Sequence, residues 1–521
     1  MGRDLKTLPI GVQSFDVLRC AGQLYVDKTA RLQELVTTPG RYFLSRPRRF
    51  GKSLTLSTLA AMFEGRVDLF EGLAAEEWTA RQAERPASVL RFDMSALRAY
   101  SSAEALDRSI AKGLEDFADE MDLTLPHEDS CDGMLIQTIR ALHKRSGPVV
   151  VLIDEYDKPI LDNIGDIEMA DAMRRVLRSF YTVLKGCDRY LRFVMLTGIS
   201  KFSKTGVFSA MNNLRDISMS ESYGDIVGYT QSELETDFAG WIESAAEQMG
   251  LEPDQLLKEM KDHYDGFCFD GKTRLYDPFS MLNFFADGKF SNHWYRSGSP
   301  SFVVEYMRRH AIQDPEAYRH IEVDQDFADA HEIERARPES FLYQAGYLTI
   351  EEWEGRTITL DYPNREVLDS ISRMWLELVY RVEGYVTLGS KLWGALRDGD
   401  MEETVRLYDV ALAGIPYEDF TKQDESLYRS LFLMLLRGAG VEAYGEVHTS
   451  LGRSDVLVVF SDRVVVLELK FTKDGSKIDE LREEGERQIE ARGYAKPFDA
   501  DQRVVTSAVI VVDGARHQAL L

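Results

Sequence analysis

The sequence predicts an α/β protein with a doubly wound parallel sheet at its N-terminal end, a helical middle region and a smaller α/β domain at its C-terminal end. Three observations carry this. Over residues 1–225, β-branched runs alternate with helical stretches, as the strands and crossover helices of a doubly wound sheet do. Residues 149–153 are apolar on both faces, which fits a buried central strand. Residues 452–460, the turn Ser461-Asp462-Arg463 and residues 464–471 read as strand, turn and strand, a β-hairpin. A chain of 521 residues is too long for one core. The expected division is 1–225, 226–425 and 426–521.

Strands are expected at 41–44, 88–92, 149–153 and 192–196. Between the first of them and a helix over about 53–63 stands Arg46-Pro47-Arg48-Arg49-Phe50-Gly51-Lys52-Ser53. Strand, Gly-Lys-Ser loop and helix form the context of a phosphate-binding loop, or P-loop. Lys52 would meet the outer phosphates and Ser53 would bind Mg²⁺, while the helix N-terminus offers free N–H groups and a positive dipole. Arg46 stands where the G-x-x-x-x-G-K-[ST] signature has glycine. The 149–153 strand supplies the complement, because it ends in Asp154-Glu155 at the edge where such sheets bind ligands. Asp154 there can hold the Mg²⁺ shell, and Glu155 can orient or deprotonate an attacking water. The next strand ends at Thr197-Gly198, and Thr197 is placed to sense an outer phosphate.

Each of these has a plainer reading. Gly-Lys-Ser alone is also a basic turn, Asp-Glu a cap and Thr-Gly a turn. Asp93, at the end of the 88–92 strand, reads as an N-cap. Arg46, Arg48 and Arg49 either neutralise phosphates or make surface salt bridges.

Net charge is −25, which excludes a general nucleic-acid coat built on widespread phosphate neutralisation. Contact with DNA or RNA must use local basic patches or metal ions. Cys20, Cys131, Cys187 and Cys268 lie far apart without a C-x-x-C pair, which points to reduced thiols and a cytoplasmic protein. No run approaches eighteen apolar residues, and residues 1–6 carry no signal core, so no membrane association is expected.

Residues 226–425 have mostly helical spacing, and His263 with Asp265 is better read as a capped turn than as a metal pair. The hairpin region is richer. Glu468 and Lys470, two apart, project from one face of their strand, and Asp455 can lie beside Glu468 from the partner strand. Two carboxylates and a lysine on an apolar hairpin are costly unless paired or metal-bound. A cross-strand salt bridge is the plain alternative. Residues 425–436 read as a core helix with Leu427, Leu431, Met434 and Leu435 on one stripe.

Several stretches together resemble one family. The P-loop stretch through Leu54, Tyr25-Val26-Asp27-Lys28-Thr29, Asp154-Glu155-Tyr156-Asp157, Asn213-Leu214-Arg215-Asp216-Ile217-Ser218 and Tyr264-Asp265-Gly266-Phe267 are similar to AAA-ATPase-like proteins that carry a C-terminal PD-(D/E)XK nuclease-like domain. In that family arginine at position 46 is ordinary. The resemblance implies a restriction-endonuclease-like C-terminal domain in which Asp455 and Glu468 hold Mg²⁺ and Lys470 positions the water. Glu446 matches the further upstream acid, and Gln488 the polar residue of the following helix. Arg48, Arg49, Phe50, Gly51, Lys52, Ser53, Leu54, Asp154 and Thr197 would bind the nucleotide. ATPases of this type often take an arginine from another subunit, so Arg48, Arg49 and Arg215 imply a homo-oligomer.

The function expected is an ATP-binding ATPase coupled to a Mg²⁺-dependent nuclease acting on DNA or RNA. The alternative is an ATP-dependent switch whose C-terminal domain binds nucleic acid or protein without cutting. A metal-dependent phosphatase of small molecules stands third.

Overall fold

A computed structural model describes residues 5–521 except 98–99, 202–212, 297–300, 311, 313, 330–335, 383, 417–419, 421–422, 450–451 and 495–502. Residues 1–4 of the N-terminal stretch therefore lie outside the described residues. The chain forms two compact units, one running to Tyr306 and including His320–Arg365, the other made of Met307–Arg319 and Glu366–Leu521.

In the first unit β1 (Gly40–Ser45), β2 (Val89–Asp93), β3 (Val149–Asp154), β4 (Leu191–Gly198) and β5 (Arg215–Asp216) form one sheet in the order β2-β3-β4-β1-β5. Every pairing is parallel. All six residues of β3 are buried, as a run apolar on both faces requires. Because the strands are parallel, the carboxyl ends of β1, β3 and β4 come to one edge, carrying the loop after Ser45, Asp154 and Thr197. The helix Lys52–Phe63 buries ten of its twelve residues, so it is covered all round rather than on one stripe. Asp93 caps a 3₁₀ turn through the Ser95 N–H, the plainer of its expected roles.

Beyond this sheet the chain is mostly helical. Thr230 and Glu233 make a reciprocal capping box at the start of Gln231–Asp237. The following helices pack an aromatic core in which Phe238 and Phe285 stack at 5.2 Å. His263 lies in the last turn of Pro253–Tyr264, where burial pushes its pKa down to about 3. Within this region β6 (Ile321–Asp324), β7 (Thr349–Glu354) and β8 (Thr357–Asp361) form a small antiparallel sheet that helical spacing did not reveal.

The second unit holds β9 (Ala443–Thr449), β10 (Gly452–Val459), β11 (Arg463–Thr472), β12 (Val504–Asp513) and β13 (Gln518–Leu520), in the order β13-β12-β11-β10-β9. β10 and β11 are the expected antiparallel hairpin, with Val456 opposite Leu467. β11 and β12 run parallel, and the helix Ile478–Arg492 lies in the crossover between them, as a parallel pair requires. Gly485 lets that helix approach the sheet, since a Cβ there would meet Val509 at 2.6 Å. The helix Glu425–Gly438 buries Leu427, Leu431, Met434 and Leu435, the expected stripe.

Candidate functional sites

The loop after β1 is shaped by two left-handed residues, Arg49 (φ 71°) and Gly51 (φ 90°). Gly51 is the N-cap of Lys52–Phe63 and supplies no side-chain cap, so no serine or aspartate occupies the first-turn N–H groups. A Cβ at Gly51 would meet nothing within 4 Å, so it is the positive φ rather than crowding that favours glycine there. Lys52 is buried; its Nζ donates to the carbonyls of Pro47 (2.7 Å) and Arg46 (2.9 Å). Burial pulls its pKa down, and the charges of Asp154, Glu155 and Asp157 oppose that pull. Ser53 and Leu54 are half-buried in the first turn.

Asp154 closes β3. Its Oδ1 accepts from the Thr197 hydroxyl (2.6 Å) and from the Glu155 N–H (3.0 Å), which joins the tips of β3 and β4. Glu155 sits in the left-handed region (φ 47°), a strained place for a side chain larger than glycine. Burial raises its pKa, while Lys52 and Arg48 hold it down. Asp157 went without a role in the sequence reading. Buried, it accepts from the backbone N–H groups of Ile199 (3.0 Å) and Ser200 (2.7 Å) and from the Ser200 hydroxyl (2.6 Å). It fixes the segment after β4 to the loop after β3.

The arginines divide. Arg46 is 1% exposed, donating to the carbonyls of Ser218 (2.6 Å) and Ser45 (2.9 Å) with its guanidinium 4.2 Å from the Phe269 ring. Burial pushes its pKa down to about 10. Buried among main-chain carbonyls, it is not the surface ion pair that was one of its two expected roles. Arg48 is half-buried, and its charge acts on both Lys52 and Glu155. Arg49 is exposed, its guanidinium 4.7 Å from the Phe279 ring. Arg215 lies on the edge strand β5, exposed. Phe50 is buried edge-on against Phe267 at 4.9 Å. Beside the loop opens a cleft of about 60 Å³, lined among others by Gly51, Leu54, Tyr25, Val26, Val227 and Tyr229.

At the C-terminal sheet the hairpin register brings the other residues together. One residue beyond the Val456–Leu467 pair lie Asp455 and Glu468. Asp455 Oδ2 accepts from the Leu469 N–H (2.8 Å). Lys470 Nζ donates to Glu468 Oε1 (3.1 Å) and to Gln488 Oε1 (2.9 Å), and Gln488 Nε2 donates back to Glu468 Oε1. Glu468 is 2% exposed, and its Oε2 has no hydrogen-bond partner among the described residues. Burial, and then the Asp455 charge, raise its pKa to about 7. Burial lowers that of Lys470, but the Glu468 hydrogen bond and charge outweigh this and leave it raised. A buried carboxylate oxygen left without a described partner is one hard oxygen ligand that a divalent cation could take. Glu446 (φ 53°) does not join it directly, because its oxygens meet Arg429 (2.7 Å) and Arg453 (3.0 Å).

Among the described residues the one group of three metal-capable side chains whose ligand atoms lie within 4.8 Å of one another is His320, Glu351 and Asp361; the C-terminal acids are not drawn together that closely. His320 sits between Glu351 (2.7 Å) and Asp361 (3.6 Å), a cross-strand clip on the β6-β8-β7 sheet.

Residues 9–208 match the family model described as "Predicted AAA-ATPase", and residues 423–519 match that of the PD-(D/E)XK nuclease superfamily. A protein of Azotobacter chroococcum mcd 1, described as "Uncharacterized protein in vnfD 5'region", is 33% identical over 528 residues, spanning 97% of this chain and 99% of the relative. The chain belongs to the AAA-ATPase-like family and ends in a PD-(D/E)XK nuclease superfamily domain. A solved structure titled "Structure of the Aeropyrum pernix ORC1 protein in complex with DNA" overlaps 68% of this AAA-ATPase-like protein and 94% of that chain, at 11% identity. Its TM-score of 0.26 is too low to carry an argument. Among the described residues of the AAA-ATPase-like protein, no helix is long and apolar enough to cross a membrane.

Proposed function

We propose that the protein is an ATP-binding ATPase whose C-terminal domain is a Mg²⁺-dependent nuclease acting on DNA or RNA. The observation that carries the reading is the Glu468 carboxylate, buried with one unpartnered oxygen and bonded through the other to Lys470 and Gln488. A divalent cation bound there would act as a Lewis acid on a phosphodiester and stabilise its developing charge. Glu468 and Asp455 would be the ligands that hold it. Lys470, fixed by Glu468 and Gln488, would orient the attacking water.

At the other site, ATP would place its phosphates at the N–H groups of Gly51–Ser53 with Lys52 against them, and its base in the cleft beside Leu54 and Tyr25. Ser53 and Asp154 would hold its Mg²⁺. Glu155 is the residue poised to accept a proton from water, and Thr197, bonded to Asp154, would register the outer phosphate. We assign the ATPase to residues 1–225, the lid and middle to 226–425 and the nuclease to 426–521, in a cytoplasmic homo-oligomer completed by Arg48, Arg49 or Arg215.

The test is cleavage of labelled single- and double-stranded DNA and RNA by the full chain, with ATP and Mg²⁺ omitted in turn. Cutting that needs Mg²⁺ and responds to ATP is expected. Binding without cutting under every condition would overturn the nuclease and leave a nucleotide-dependent switch, a reading that the net charge of −25 favours.

A further inference from the structure

The C-terminal site already holds a cation of its own. Arg429 projects from the helix Glu425–Gly438, 9% exposed, with Nη1 donating to Asp455 Oδ1 (3.1 Å) and Nη2 lying 2.7 Å from Glu446 Oε1. The remaining oxygens of these acids are engaged too, Asp455 Oδ2 by the Leu469 N–H and Glu446 Oε2 by Arg453. Glu468 differs, since its Oε2 is buried without a partner. Of the three acids, then, one offers an open oxygen and two are closed by a guanidinium. The same helix adds Glu425 one turn earlier, and its charge acts on both Glu468 and Lys470.

A divalent cation takes about six hard oxygen ligands, and a second carboxylate among them strengthens its binding. Glu468 Oε2 can supply the first oxygen, but Asp455 Oδ1 can supply the second only after Arg429 lets go. We propose that Arg429 is a placeholder cation that couples metal binding to nucleic-acid binding at this site. Seated between Asp455 and Glu446, it neutralises the acids while no metal is bound and so weakens metal binding. Once released it needs another anion, and a phosphodiester offers two non-bridging oxygens that the planar guanidinium can engage together. Nucleic acid would thus draw Arg429 off the carboxylates and raise the affinity for metal. The inference rests on the nuclease reading of Asp455 and Glu468 but adds a residue and a regulation to it.

The experiment is calorimetric titration of Mn²⁺ into the full chain, as wild type, Arg429→Gln, Arg429→Lys and Glu468→Gln, with and without a short DNA duplex. Arg429→Gln is expected to bind Mn²⁺ about tenfold tighter than wild type, the worth of one charge-assisted hydrogen bond. Arg429→Lys, which keeps the charge but not the fork, should fall between the two. Duplex should tighten Mn²⁺ binding to wild type and leave Arg429→Gln unchanged. Thermal melting of the same samples guards against misfolding: Mn²⁺ should raise the Tm of Arg429→Gln more than that of wild type. If wild type binds Mn²⁺ and Arg429→Gln binds it no tighter, the placeholder role is wrong and the metal site stands. If neither binds, or Glu468→Gln binds as wild type does, the metal site itself is wrong and the role falls with it.

Discussion

At the P-loop, Lys52 is bonded to two backbone carbonyls, whereas at the C-terminal sheet Lys470 is bonded to two side chains, Glu468 and Gln488. The acids differ in the same sense. Asp154 accepts from Thr197 and the Glu155 N–H, and Asp157 takes three hydrogen bonds from Ile199 and Ser200. Glu468 keeps an open oxygen, and Asp455 shares a guanidinium with Glu446. The first site rests on main-chain groups more than the second does, so its residues should act more independently when changed. In the second, each charged group is the partner of another, and single changes should propagate through the network.

The largest effect that follows is on cleavage. Glu468→Gln and Lys470→Ala should each lower the cutting rate by about 10³–10⁴-fold, toward the upper end of what proton-transfer and positioning groups supply. Because the two side chains are bonded, the double variant should lose little beyond either single one. Measured rates that multiply across the double variant would erase the contrast between the sites.

At the P-loop the comparison predicts a clean split. Glu155→Gln should lower ATP turnover by about 10²–10³-fold with affinity nearly unchanged, if its carboxylate acts on water as proposed. Lys52→Ala should instead weaken ATP binding by about 10–100-fold, the loss of charge-assisted contacts to phosphate. Calorimetric Kd and steady-state kcat for both variants check this. If each variant shifted both quantities equally, the P-loop would be as interlocked as the hairpin.

The same contrast explains what was legible in the sequence. A phosphate-binding loop is contiguous, so Gly51, Lys52 and Ser53 disclose it together, and β3 with Asp154 follows from an unbroken apolar run. The hairpin was legible because alternation places Glu468 and Lys470 on one face. What escaped depends on partners distant in the chain. Arg46 is buried because the Ser218 carbonyl and the Phe269 ring receive it, 172 residues on in the first case. Asp157 matters through Ile199 and Ser200. Arg429 lay inside a helix read as an apolar stripe, although an arginine flanked by Leu427 and Leu431 and four residues after Glu425 was a signal of a buried charge. The β7 strand was hidden by Glu351 and Glu352, which break strict alternation at the register shift between Ile350 and Glu352.

The smallest effect tests the open oxygen itself. Glu468 titrates at about 7 in the folded chain against an ordinary 4.5, first because it is buried and then because Asp455 is charged beside it. Between those values the metal-free folded protein keeps a proton that the unfolded chain has released. By linkage, this group's contribution to stability is therefore greatest below about pH 4.5, falls as pH rises and levels off above about 7. Asp277, also raised to about 7 by burial, contributes in the same direction, so the wild-type slope alone does not isolate Glu468. The difference between wild type and Glu468→Gln does. In chelator-treated protein the Tm of wild type should drop more steeply from pH 5 to 8 than that of Glu468→Gln, by a few degrees over the window. Mg²⁺ binds the ionised carboxylate, so it should restore wild-type Tm mainly above pH 7 and leave the variant where it was. Parallel Tm curves for the two proteins, with equal response to Mg²⁺, would mean that Glu468 is as fully satisfied as Asp157, and the distinction between the two sites would vanish.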